Sequence, residues 1–305
     1  MLLALASLAL AGTLDLTVEA ADYDLSAATK QSVVRAAGRI HHLIGTDLGL
    51  ALPEPTTVHI RTIASRDRYD EEARALGLTK PTLGYFSPRL GKGVVWKNTS
   101  TDDFHGTFLH EMTHYLLAVA GAGRVPPWVQ EGCAEVMETA QTDGNAVWLR
   151  PNPRLVHWLQ AHADGLPAAS QLLSDGAVWS QLPSTPVGGP EYGIGWSMCA
   201  FLLTTPQGKA TLSNVIMQTS RGSHRAGHDA VDGTYPRGVS GFDAGWRAWI
   251  KAGPSAIQLP IPLEGGPGAG WTECLDGSFV RDGTDQRCGR WVTGDDGWMR
   301  YVEDP

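Results

Sequence analysis

The sequence predicts an α+β fold, in which strands and helices alternate in the first part of the chain and helices dominate the middle part. Residues 56–63 alternate in polarity and are rich in β-branched side chains, which is typical of a strand. Apolar residues recur at helical spacing over 26–47, and residues 193–204 are almost entirely apolar, as expected of a helix buried on most faces. With 305 residues, of which 42% are hydrophobic, the chain is long enough for one large domain or two smaller ones.

The remaining elements of the first part follow from local signals. Ser65 is expected to cap a polar helix whose first turn carries acidic residues, as the helix dipole favours. Two short apolar runs then predict a strand pair, and a Thr-Asp-Asp segment predicts the start of a longer helix. In order, the predictions are a helix over 65–76, a strand over 83–87, a turn over 88–92, a strand over 93–97 and a helix from Thr101 to about Val119.

The second part is predicted to be helical up to a linker. Pro126 and Pro127 open a new helix, while the Gly-, Pro- and Ser-rich residues 164–190 are expected to form loops. Residues 253–270 carry four prolines among glycines and are predicted to be a linker, and residues 271–305 a small β-rich tail. Further helices are predicted over 152–163, 193–204, 212–219 and 241–251.

Composition and the N-terminus favour an exported protein without a membrane span. The net charge is −8 with no long run of like charges, so a nucleic-acid partner is not expected. Residues 1–11 form a short apolar run that predicts a signal peptide cut after Ala11, and a secreted or periplasmic location. No basic residue precedes this run, which leaves a fraying N-terminal helix or a truncated start site as the alternatives. No later segment is apolar over eighteen residues, the length that a spanning helix requires.

The most informative motif is His110-Glu111-Met112-Thr113-His114. Positions i and i+4 lie on one face of a helix, so both imidazoles can reach one metal ion. A catalytic zinc ion takes three protein ligands and keeps one open position, and Glu131, seventeen residues after His114, is the candidate third ligand. Two histidines on a solvated helix face are the alternative interpretation. A third histidine six residues after the second, as metzincins have, is excluded because position 120 is Ala120.

Carboxylates near the motif have distinct predicted roles. Glu111 projects toward the metal and is the candidate general base, which takes a proton from water and passes it to the leaving amine. Glu135 lies one helical turn after Glu131, where it is predicted to accept a hydrogen bond from a ligand histidine and fix its tautomer. A solvated carboxylate is the alternative for Glu135.

The segment Trp128-Val129-Gln130-Glu131-Gly132-Cys133-Ala134-Glu135, shortly after the His-Glu-x-x-His helix, resembles the gluzincin metallopeptidases. It is most similar to the peptidase-MA-like group of bacterial secreted proteins and more distantly to the aminopeptidase N type. The resemblance implies a gluzincin-like fold, with a small mixed sheet subdomain over 12–122 and a helical subdomain over 123–252. It also implies one zinc ion, a peptide or protein substrate, and an oxyanion donor, for which Tyr192 is similarly placed.

The resemblance extends to substrate binding. Gluzincins hold extended substrate along an edge strand, and Gly93 to Trp96 is the candidate strand here, with a purely structural hairpin as the alternative. No Gly-x-Met-Glu-Asn segment is present to hold a free amino terminus, so an endopeptidase is favoured. A non-catalytic secreted binding or scaffold protein, and a zinc amidase acting on cell-wall material, are the alternative functions.

Four cysteines allow three pairings. Cys274 and Cys288 share the short tail and are the first choice for a disulfide, whereas Cys133 and Cys199 either pair across the core or remain buried thiols. The tryptophans of the tail are expected to form the core of a small β module, and contact with the cell wall through stacking on sugars is the alternative.

Overall fold

A computed structural model describes most of the chain. The described residues are 14–78, 82–87, 92–98, 101–122, 125–143, 146–220 and 224–259, together with the backbone of four short strands between 271 and 303. The predicted signal peptide, the turn over 88–91, most of the linker, and Cys274 and Cys288 lie outside these residues.

The first part of the chain forms a four-stranded mixed sheet, which confirms the α+β class. Its strand order is β1-β2-β4-β3, with β1, β2 and β4 parallel and β3 antiparallel to β4. The strands are β1 (Leu14–Ala20), β2 (Thr56–Ile63), β3 (Gly84–Ser87) and β4 (Lys92–Trp96).

Three helices accompany this sheet, and the second begins at the predicted Ser65 cap. The Ser26 side chain accepts a hydrogen bond at the start of the first helix, and Ser65 does so for the second. A π-helical turn ends the third helix at Gly121, whose φ of 79° is readily adopted by glycine. These helices are α1 (Ala27–His42), α2 (Arg66–Ala75) and α3 (Thr101–Leu117).

Two features of the sheet differ from the sequence predictions. β1 was not predicted, although Leu16 and Val18 are buried and alternate with polar residues as a strand requires. The prediction that Gly93 to Trp96 forms the edge strand is wrong, because β4 is paired on both sides and β3 lies at the edge. A hairpin pattern does not tell which of its two strands joins the rest of a sheet.

The second part is helical, with a small three-stranded sheet of order β5-β6-β7. Its helices are α4 (Pro127–Glu138), α5 (Pro153–His162), α6 (Ala169–Ser174), α7 (Gly176–Trp179), α8 (Pro190–Leu203), α9 (Pro206–Thr219), α10 (His224–Thr234) and α11 (Gly238–Ala252). Its strands are β5 (Ala140–Asp143), β6 (Ala146–Leu149) and β7 (Ile257–Leu259).

Several of these elements were not predicted. The β5–β6 hairpin follows α4 directly, and α6 and α7 lie within the predicted loops over 164–190. β7 pairs with β6, so the linker prediction is wrong for residues 257–259. Short elements of this kind form because neighbouring parts of the chain bury them, which local patterns do not reveal. Four strands occur in the tail as predicted: β8 (Trp271–Glu273), β9 (Phe279–Arg281), β10 (Gly289–Thr293) and β11 (Met299–Glu303).

Two glycines bring the backbones of α4 and α8 into contact. A Cβ atom on Gly132 would lie 2.5 Å from the carbonyl carbon of Gly195, and one on Gly195 would lie 2.5 Å from the carbonyl oxygen of Trp128. The two backbones therefore touch, which only glycine permits. This contact also brings the buried thiols of Cys133 and Cys199 to a sulfur–sulfur distance of 3.7 Å. Both are free cysteines in this structure.

One large apolar core extends from the inner face of the sheet through α3 and α4 into the helical part. A smaller cluster of Ile63, Tyr69, Ala73 and Val94 lies beneath α2 on the other face of the sheet. Within the described residues, no helix is both long enough and apolar enough to cross a membrane.

Candidate metal centre

The structure brings His110, His114 and Glu131 together where α3 crosses α4. One carboxylate oxygen of Glu131, Oε2, lies 3.4 Å from Nε2 of His110 and 3.5 Å from Nε2 of His114. The three side chains form a group that could hold a metal ion. Helical spacing within α3 aligns the two imidazoles, and the crossing of the helices supplies the carboxylate.

The residues present fit a tetrahedrally coordinated ion. Bonds of the length that zinc makes to nitrogen and oxygen would place neighbouring ligand atoms about 3.3 Å apart. The observed separations of 3.4 Å and 3.5 Å are close to that value. Glu131 Oε2 is also buried without a hydrogen-bond partner among the described residues. Because a buried oxygen of this kind is costly to leave unpaired, the geometry fits a cation between the three atoms.

Charge distribution agrees with this interpretation. Burial raises the pKa of Glu131, but contacts with His110 and His114 outweigh it and lower the pKa to about 2. Burial lowers the pKa of His110, whereas its contacts with Glu131 and Glu138 raise it well above the usual value. The shifts of both groups show that the contacts around Glu131 favour a positive charge beside this carboxylate.

Glu111 lies beside this group and is 7% exposed. Burial raises the pKa of its carboxyl group, and the neighbouring His110 and His114 oppose that shift. Gly84 of β3 lies against it so closely that a Cβ atom there would be 2.6 Å from Glu111 Oε1. The edge strand therefore forms one wall around the candidate base.

The predicted hydrogen bond of Glu135 is wrong. Nδ1 of His110 donates to Oε2 of Glu138 at 2.9 Å, while Oε1 of Glu135 lies 3.6 Å from the same nitrogen, beyond hydrogen-bond distance. Burial, reinforced by the adjacent Glu138, raises the pKa of Glu135 to about 8. Donation from Nδ1 leaves Nε2 of His110 as the ligand atom, which faces Glu131.

Tyr192 enters the same cleft from the first turn of α8. Its ring stacks on that of His110 with 6.4 Å between centroids. Burial raises the pKa of its phenol, and the negative charges of Glu131 and Glu135 add to this effect. The group therefore stays protonated and can donate a hydrogen bond. Tyr115, by contrast, donates to the Thr57 carbonyl and packs against the core.

These residues line an open cleft of about 490 Å³. β3 and the residues before it form one side, α3 and α4 form the floor, and Val187 and Tyr192 close the far side. The described lining is rich in carboxylates and contains no lysine or arginine. Several members, Gly84 and Glu138 among them, were not predicted to belong to the site from the sequence. The only signal for Glu138 was its spacing, since it follows Glu131 by seven residues and so shares a helix face.

Comparison of the chain with protein-family models gives no match, and a search of curated proteins gives no significant one.

Proposed function

We propose that this protein is an exported, zinc-dependent peptidase of gluzincin type that cuts peptide bonds within a chain. The observation that carries the proposal is the convergence of His110, His114 and Glu131 beside the buried carboxylate of Glu111, at the floor of an open cleft. Export is proposed from the apolar run at residues 1–11.

Two imidazole nitrogens and one carboxylate oxygen are the ligand set of many catalytic zinc sites. A zinc ion held by them supplies Lewis acidity, which activates water and polarises a carbonyl group. The hydrogen bond from His110 to Glu138 would keep the ligand ring in the required tautomer and orientation.

Glu111 is proposed to move the proton. As water attacks the scissile carbonyl, the carboxylate accepts a proton from it and then donates that proton to the leaving nitrogen. Burial raises the pKa of Glu111 and so brings it closer to neutrality, where a carboxylate is a stronger base and its acid form still transfers a proton readily.

Tyr192 is proposed to stabilise the oxygen that becomes negative during attack. Its phenol lies in the cleft with the candidate ligands and remains protonated, so it can donate a hydrogen bond to that oxygen. A donor in such a position stabilises the transition state more than the ground state.

β3 is proposed to bind the substrate backbone. It lies at the edge of the sheet, and no described strand pairs with its outer side. An extended peptide can add to such an edge by main-chain hydrogen bonds. The cleft beside this strand is open to solvent, as binding of an extended peptide requires.

The test combines metal content with hydrolysis. Elemental analysis of the mature protein is expected to give one zinc ion per chain, which Glu131→Ala loses. A casein-type substrate is expected to be cut by the wild type and by the control Glu71→Gln, an exposed position on α2, but not by Glu111→Gln.

The other outcomes separate the alternatives. Zinc bound without hydrolysis of casein or of a mixed peptide library would favour a binding or scaffold protein. Release of products from cell-wall fragments, but not from peptides, would favour an amidase. Absence of zinc from the wild type would refute the proposal.

A further inference from the structure

Gly84 is the point where the edge strand contacts the candidate base. A Cβ atom at this position would lie 2.6 Å from Oε1 and 2.7 Å from Cγ of Glu111, and 2.7 Å from Cγ2 of Thr107. These distances are shorter than any side chain tolerates, so only glycine lets the strand lie this close. The backbone of β3 thereby limits the positions open to the Glu111 carboxylate.

A chain of hydrogen bonds holds the strand in that position. The Thr82 hydroxyl donates to the Gly84 carbonyl at 2.6 Å. The Tyr69 hydroxyl lies 2.9 Å from Thr82 Oγ1. Because Thr82 uses its single hydroxyl proton for Gly84, Tyr69 must be the donor to Thr82.

The Tyr69 end of this series of hydrogen bonds is held by packing on the outer face of the sheet. Tyr69 belongs to α2, and its side chain is fully buried in the small apolar cluster between this helix and the sheet. Arg66 lies over its ring, 5.2 Å from the centroid, and donates to the Thr82 carbonyl at 3.2 Å. On the other side of the strand, Trp96 N donates to the Leu83 carbonyl at 2.8 Å. The segment around Gly84 is thus held from both sides.

We propose that the hydrogen-bonded brace Tyr69–Thr82–Gly84 positions the general base by pressing strand β3 against Glu111. Gly84, Thr82 and Tyr69 are positioning residues, since they act through Glu111. The inference rests on the proposed function for the role of Glu111 as base, but the brace itself is a property of the metal-free chain. It links α2, which does not line the cleft, to the reacting group.

The first experiment tests the brace without turnover. Thr82→Val removes the hydroxyl group, and Thr82→Ser is the matched control that keeps it. Hydrogen exchange is measured by mass spectrometry on the metal-free proteins. The amides of residues 83–87 are expected to exchange about fivefold to tenfold faster in Thr82→Val, the factor that loss of one hydrogen bond gives. Equal exchange in the two variants would overturn the brace.

The second experiment tests the effect on Glu111. Relative to the wild type, Gly84→Ala is expected to lower kcat about 100-fold and Thr82→Val about tenfold, because small displacements of a reacting group have effects of this size. Bound metal should remain unchanged, and kcat should fall by a larger factor than KM rises, since β3 is also the proposed substrate-binding strand. Thr82→Ser should restore kcat. Gly38→Ala, where an added Cβ meets nothing within 4 Å, is the control for Gly84→Ala. Faster exchange with unchanged kcat would overturn the positioning role.

A third readout applies even if the wild type cuts no peptide, an outcome that would count against the proposed function alone. Crystal structures of metal-free wild type and Gly84→Ala are expected to differ in the position of the Glu111 carboxylate. An unmoved carboxylate beside Ala at this position would overturn the inference.

Discussion

Nδ1 of His110 and Oε2 of Glu138 form a 2.9 Å hydrogen bond that ties the candidate ligand on α3 to the last residue of α4. Among the described residues, no group forms a hydrogen bond with the corresponding Nδ1 of His114. Within the part of the chain that the structure describes, Nδ1 of His110 is held by a carboxylate and Nδ1 of His114 is not, so the proposed metal site should depend strongly on Glu138.

Loss of this carboxylate should weaken metal binding. Glu138→Ala is expected to raise the Kd for zinc about tenfold, the usual effect of removing such a partner. Glu138→Gln keeps an acceptor oxygen and should have a smaller effect. Glu135→Ala removes a carboxylate that is not hydrogen-bonded to the ring, so a larger effect for it than for Glu138→Ala would contradict the assignment. Competition with a chromophoric zinc chelator measures all three.

Removal of the Tyr192 hydroxyl should affect turnover and not metal content. Tyr192→Phe is expected to lower kcat about 100-fold, as for loss of one oxyanion donor, with zinc stoichiometry unchanged. Tyr115→Phe is the matched control, because that hydroxyl donates to the Thr57 carbonyl instead of entering the cleft. Steady-state kinetics on a defined peptide measure the effect. Equal losses in the two variants would argue against the proposed donor.

A methyl group between α4 and α8 should destabilise the protein. In Gly132→Ala the new Cβ would lie 2.5 Å from the backbone of Gly195, so the helices must separate. We expect the free energy of unfolding to fall by about 2 kcal/mol, as for other overpacked cores. Gly233→Ala on α10 meets nothing within 4 Å and is the control. Urea denaturation followed by circular dichroism compares them, and equal stabilities would contradict the close packing.

Acid should destabilise the fold partly through His41. This residue on α1 is 4% exposed, its Nε2 lies 3.1 Å from Thr56 Oγ1, and burial lowers its pKa to about 4. In the unfolded chain this imidazole takes up a proton near pH 6.5, whereas in the folded chain it does so only near pH 4. The free energy of unfolding should therefore fall as the pH drops from about 6.5 to 4, by at most about 3 kcal/mol.

His41→Gln should flatten this part of the stability profile, measured by urea denaturation at several pH values. The exposed His157, replaced in the same way, is the control. A profile of His41→Gln as steep as that of the wild type would show that other groups cause the loss.

Local features of this fold were predictable and relations between distant elements were not. The bounds of β2 and α2 follow from alternation and from the Ser65 cap, both of which act within a few residues. The grouping of His110, His114 and Glu131 was predicted because two members share one helix and the motif specifies the third. The partner of His110 Nδ1 depends on how α3 crosses α4, since Glu135 and Glu138 lie on the same face of α4.

The same limit explains the error about the edge strand. Gly84 and Gly93 belong to two adjacent strands with similar local patterns, and only the parallel pairing of β4 with β2 makes β3 the edge. The contact between Gly84 and Glu111 depends on this arrangement, so it could not be predicted from a sequence pattern.

The pairing of β7 with β6 has a practical consequence for proteolysis. Residues 257–259 form β7, which is hydrogen-bonded to β6. β6 belongs to the hairpin directly after α4, whereas β7 comes seven helices later in the sequence. A protease that removes the tail should therefore stop beyond Leu259 and not at Ala252. A fragment that ends at Ala252 lacks β7, so backbone N–H and C=O groups of β6 would be unpaired. We expect it to aggregate, whereas a fragment that ends beyond Leu259 should stay monomeric.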